Sequence, residues 1–161
     1  MTKTLLASLA LALCLSACGG EKTAPADKAA AGRLSAEDQV KERVKNMKVL
    51  AQANKTLKEV AAGDAAFDAA KVQAAAATLN QAANQGWEHY SITTIDTKSN
   101  ALPVVWEKND AFKQEIQKLQ DASKALNEAA AQGTLDAVKA PIGQVGESCK
   151  SCHTAFKART S

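Results

Sequence analysis

The 161-residue chain carries 20 basic and 17 acidic side chains, a formal charge of +3, and 46% hydrophobic residues of which few are aromatic. A balance so close to neutral, with no basic cluster interleaved with aromatics, excludes a nucleic-acid-binding surface. The length fits one domain of ordinary size with one core.

Lys3, the apolar run from Leu5 to Leu15 and the small residues Ser16 and Ala17 stand in the order of an export signal, predicted to occupy residues 1–17. The run is shorter than the roughly 20 residues a membrane-crossing helix needs, and nothing later is continuously apolar, so the mature chain is predicted to have no membrane span. Leu15-Ser16-Ala17-Cys18 resembles the lipobox of bacterial lipoproteins, which implies that Cys18 becomes the first mature residue and carries a lipid. An ordinary cleavage site followed by a free cysteine is the competing reading. Gly19 stands where an aspartate would resemble an inner-membrane retention signal, which points to the periplasmic leaflet of the outer membrane. Residues 18–35 are predicted to be the anchor and a flexible tether, rich in Gly, Ala, Lys, Pro and Thr without an apolar period; its reach is on the order of 20 Å. Residues 36–161 form the domain. Losing Lys3 with the signal lowers the formal charge of the mature chain, residues 18–161, to +2, because 19 basic side chains then face 17 acidic ones.

Ser35 offers an N-cap with Glu37 and Asp38 in the first turn, and Val40, Val44, Met47 and Ala51 recur at helical spacing, predicting a first helix over 36–62 that ends at Gly63. Gly63-Asp64 breaks the pattern. An alanine-rich second helix follows to about Asn84, with Phe67, Ala70, Ala74, Ala77 and Leu79 in it. Residues 86–106 hold Trp87, Tyr90, Ile92, Ile95, Leu102 and Pro103 without a helical stripe. That exceeds the roughly 12 to 15 residues usual for structureless connections, and such segments usually cover something. Asn109-Asp110 can cap a third helix whose Phe112, Ile116, Leu119, Ser123 and Leu126 face inward until Gly133. Thr134 or Asp136 opens a fourth, with Leu135, Val138, Ile142, Val145, Cys149, Cys152 and Phe156 in one stripe, which Pro141 and Gly143 are expected to kink or divide. Four amphipathic segments with no credible strand predict an all-α, antiparallel up-down-up-down four-helix bundle. With so few aromatics the core is thin, and a large apolar cofactor would help fill it.

Cys149-Lys150-Ser151-Cys152-His153 is a C-x-x-C-H sequence, in which two thiols add to the vinyl groups of a haem and the adjacent imidazole binds its iron. At 100° per residue, Cys152 lies about 60° from Cys149 on one side and His153 about 40° on the other, so one helix face presents all three. That face is also the apolar stripe, which predicts a buried haem. Other readings fare worse. A thioredoxin-like pair wants a C-x-x-C opening a helix after a strand. Tetrahedral zinc wants four ligands, and only His89 remains. A Cys149–Cys152 disulfide would close a strained loop within a helix.

A C-x-x-C-H near the end of the last of four helices resembles the class II c-type cytochromes, the cytochrome c-prime family, over residues 37–159. Val40 to Leu50 with Arg43 and Met47, Trp106, and Val145-Gly146-Glu147-Ser148 before the haem motif add to the likeness. The resemblance implies one covalent haem c, Arg43 beside a haem propionate, Met47 on the distal face of the iron, and Lys157 modulating the proximal face where the family commonly has arginine. It also implies homodimers in many members. His89 is a less favoured sixth ligand. If Met47 packs over the iron without bonding it, the site is a five-coordinate one for nitric oxide or carbon monoxide, with a role in sequestering or removing nitric oxide in the periplasm. If Met47 bonds the iron, the protein is a low-spin electron carrier, with a redox partner that the sequence does not name. Nothing is placed to serve a haem enzyme as a distal acid or base.

Overall fold

The structure, a computed structural model, describes residues 34–159. The predicted export signal, Cys18 and nearly all of the tether lie outside them.

Helix α1 (Ala36–Ala62) starts where Ser35 accepts a hydrogen bond from the Asp38 amide at 3.1 Å and stops at Gly63, whose φ of 85° closes the last turn. Its limits are those predicted. Leu50, Ala53, Leu57 and Val60 enter the core, whereas Val44 and Ala51 are exposed and Val40 and Met47 half-buried. The stripe singled out in the sequence sits about 130° round the helix from the core residues. It faces a cavity.

Helix α2 (Ala69–Ala83) begins one residue after Asp68, whose carboxylate accepts from the Lys71 amide at 3.1 Å, so Phe67 precedes the helix instead of belonging to it. Val72, Ala76, Leu79, Ala82 and Ala83 are its buried face; Ala70, Ala74 and Ala77 point to solvent. Alanine tolerates either environment, and so hides a helix's phase.

The long connection is locally ordered. Two 3₁₀ turns (Trp87–His89 and Ile92–Thr94) lead to the single-turn helix α3 (Val104–Glu107). Helix α4 (Asn109–Ala130) follows at once. Asn109, expected as its cap, is instead its first residue and donates back to the Val105 carbonyl at 3.4 Å. Phe112, Leu119, Ser123 and Leu126 are buried as predicted, with Ile116 half-buried.

Helix α5 (Leu135–Phe156) is capped by Thr134 and runs unbroken through Pro141. The expected division does not occur, because the proline removes only its own amide bond while Val138, Ile142 and Val145 are buried on either side of it. The end of α5 is tied to the connection: the Leu102 amide donates to Phe156 O at 3.0 Å and the Ala158 amide to Asn100 O at 2.8 Å.

In space α1 packs on α2, α2 on α4, α4 on α5, and α5 returns to α1, the closed ring of an up-down-up-down bundle. Among the described residues no strand forms beyond one isolated bridge between Ala101 and Lys157, and no helix is long and apolar enough to cross a membrane. The core is built mostly from leucine, valine and alanine. A second cluster of Val105, Phe112 and Phe156 closes one end beneath the connection.

Candidate functional site

Between α1 and α5 lies a cavity of about 890 Å³, toward the top of the roughly 300–1,000 Å³ range of small-molecule sites. Helix α5 contributes Cys149, Cys152 and His153 from one face, as the helical angles require; the two cysteines are half-buried and His153 is exposed. Helix α1 supplies the facing wall with Val40, Val44, Met47 and Ala51. The connection roofs one end with Trp87, Tyr90 and residues 99–101, so this segment does cover the site. Among the residues proposed from sequence, Arg43, Met47, Cys149, Cys152, His153 and Lys157 all line this one cavity. His89 does not; it lies 3.5 Å from Glu88 and away from the lining.

Both cysteines are free thiols. Burial raises the pKa of Cys149, and burial together with the charges of Glu115 and Cys149 pushes Cys152 up to about 11. Both therefore present as neutral S–H groups. Partial desolvation of the His153 ring and the nearby Lys157 ammonium lower the imidazole pKa, favouring the neutral form that a metal ion binds.

Arg43 is the unusual residue. It is 3% exposed, donates from one terminal nitrogen to Thr94 Oγ1 at 3.2 Å, and lies 4.6 Å from the centre of the Tyr90 ring. Its other terminal nitrogen is buried without a partner. Burial pulls its pKa down, yet a guanidinium keeps its charge at any working pH. A buried cation with an unused donor on a cavity wall calls for an anionic oxygen there.

Sequence reasoning missed three residues of the site. Thr94, fully buried, holds Arg43 while donating to Ser91 O at 2.7 Å. Tyr90 stacks on the guanidinium and belongs to an aromatic cluster with Trp87, Phe112 and Phe156, at centroid distances of 5.0 to 6.2 Å. Glu115 faces the cavity beside Cys152. No spacing rule marks a residue that reaches a site from a loop or from another helix; only the pairing of a buried Arg with aromatics was available as a signal.

The residues fit a covalently held haem. Two neutral thiols and a neutral imidazole stand on one wall and an apolar face opposite, with an orphaned buried guanidinium N–H available for a propionate. A haem there would be attached on a half-buried face.

A family model described as cytochrome c′ matches residues 38–157. Cytochrome c′ of Alcaligenes xylosoxydans is 33% identical over 123 residues, covering 76% of this chain and 95% of that protein. A nitric oxide complex of a mutant cytochrome c prime from Alcaligenes xylosoxidans superposes with a TM-score of 0.74 at 32% identity, over 80% of this chain and 99% of that one. A carbon monoxide-bound variant from the same organism gives 0.72 at 33% identity, over 78% and 98%.

Proposed function

The chain belongs to the cytochrome c′ family, and from that premise we propose that it binds nitric oxide, with carbon monoxide as a second ligand, at a five-coordinate haem iron and sequesters or removes the gas in the periplasm. The family carries one covalently attached c-type haem, and when bound it supplies an iron with one open coordination position. Cys149 and Cys152 hold it through thioether bonds, the His153 imidazole ligates the iron from α5, and Arg43 donates to a propionate.

The observation that carries the reading is the α1 wall. Val40, Val44, Met47 and Ala51 form a stripe of that wall with no hydrogen-bond donor among them, while the donors that α1 also brings to the cavity are Arg43, assigned to the propionate, and Lys48, Asn54, Lys55 and Lys58. Bound dioxygen gains from a distal donor, whereas nitric oxide and carbon monoxide depend on one much less, so an apolar wall selects the latter pair. Met47, which lines the cavity from α1, would pack against the distal side of a bound haem and restrict what enters. Nitric oxide and carbon monoxide complexes are known for the similar structures, which supports the same ligands here. Lys157, the extended residue that caps α5 and lines the cavity, influences ligand exchange at the proximal face.

The test is the visible spectrum of the reduced, haem-loaded protein before and after nitric oxide. A broad high-spin band that changes on adding the gas, and that Met47→Leu leaves unaltered in the unliganded protein, is the expected result. A sharp, split low-spin band before any ligand is added, lost in Met47→Leu, would instead make Met47 the sixth ligand and the protein an electron carrier.

Export and anchoring complete the proposal. Lys3, the Leu5 to Leu15 run and the Leu15-Ser16-Ala17-Cys18 sequence support cleavage before Cys18 and lipidation of its thiol, holding the domain at the periplasmic face of the outer membrane.

A further inference from the structure

The site contains an anionic side chain with no part in the roles above. Glu115 lines the cavity from α4, and only 14% of its side chain is exposed. Its carboxylate is fixed from two sides: one oxygen accepts from the hydroxyl of Ser151, the residue before Cys152 within the haem motif, and the other faces the Lys118 ammonium. The Lys118 side chain is 62% exposed, so water screens its charge, while the carboxylate is turned inward where screening is weak. The field reaching the motif is accordingly that of the inward-facing anion.

We infer that Glu115 is a potential-setting residue: its clamped carboxylate beside Cys152 holds the one-electron reduction potential of the bound iron below the value that an uncharged side chain would give. The inference rests on the haem reading above. The oxidised centre carries one more positive charge than the reduced one, so a fixed negative charge nearby favours the oxidised form; the electron that distinguishes the two comes from an external one-electron donor, here an electrode with a small-molecule mediator. The Ser151 bond matters because it ties the carboxylate to the helix bearing the cysteines. Glu115 is a positioning group, touching neither iron nor gas.

Haem-loaded Glu115→Gln, which preserves shape while removing the charge, is compared with the unmutated protein by spectroelectrochemical titration. Its midpoint potential is expected to shift positive with the covalent haem content and the unliganded visible band unchanged. Glu115→Asp, which keeps the charge, is expected to return most of the way to the unmutated value. Glu128→Gln removes one charge from α4 at a 67% exposed side chain outside the cavity lining, and is expected to shift nothing. A Glu115→Gln shift no larger than that of Glu128→Gln overturns the inference, as does a Glu115→Asp shift equal to that of Glu115→Gln, which would make packing the cause. Failure of the unmutated chain to acquire covalent haem overturns the haem reading and this inference together, whereas loaded protein indifferent to Glu115 overturns this inference alone.

Discussion

Arg43 concentrates the physics of this protein in one side chain. Its 3% exposure would be costly for a lone cation, and the structure offsets it with one hydrogen bond donated to Thr94 and the face of Tyr90 while leaving a donor unspent. Arg43→Met keeps the volume and removes the charge. In the haem-loaded protein, where the guanidinium has an anionic partner, this substitution is expected to lower the unfolding free energy by about 1.5–3 kcal/mol, the usual contribution of a hydrogen bond to a charged group; a denaturant titration followed at the haem band checks it. The sequence made Cys149, Cys152 and His153 legible because their roles require fixed neighbours along one helix. Arg43 and Met47 were legible only through resemblance, since a single Arg or Met at helical spacing is ordinarily a solvated charge or a core residue. Thr94, Tyr90 and Glu115 were not legible at all. They come to the cavity from a connection without period and from another helix, and their importance arises from burial that spacing does not encode.

At the level of the helices, α1 declared its ends and α4 its buried face. Ser35 and Gly63 fix α1 through groups whose chemistry differs from that of any interior residue, and the predicted limits hold. The helix has two apolar edges, one for the core and one for the cavity, and a stripe of Val and Met does not by itself say which. In α2 the alanines carry no directional information, and the buried face rests on Val72 and Leu79. The cap at Asp68 went unremarked, although it sets where that helix begins: its carboxylate accepts from the Lys71 amide and the helix N-terminus favours its charge. Asp68→Ala is expected to cost about 1 kcal/mol in thermal or denaturant unfolding, with the visible spectrum unaffected because Asp68 lies outside the cavity lining. Pro141 shows the opposite error. A rule about isolated helices predicted a break, and packing of Val138, Ile142 and Val145 overrode it.

For the molecule as a whole, ring closure of four helices around small side chains leaves a large slot between α1 and α5, and the family's covalent haem accounts for a core otherwise poor in aromatic mass. The proposed lipid at Cys18 governs location without bearing on the bundle. Cys18→Ser is expected to move the protein from the membrane fraction to the soluble periplasmic extract, with haem content and gas binding retained; retention in the membrane fraction would remove the lipid from the proposal.

The bonds from Leu102 to Phe156 and from Ala158 to Asn100 join the roof of the cavity to the last turn of the helix beneath it. Neither piece can breathe alone. Fraying of the chain end and lifting of the roof become a single cooperative excursion, rarer than either would be separately. At this rim, access to the slot is therefore expected to depend on the backbone joint as well as on the side chains that line it.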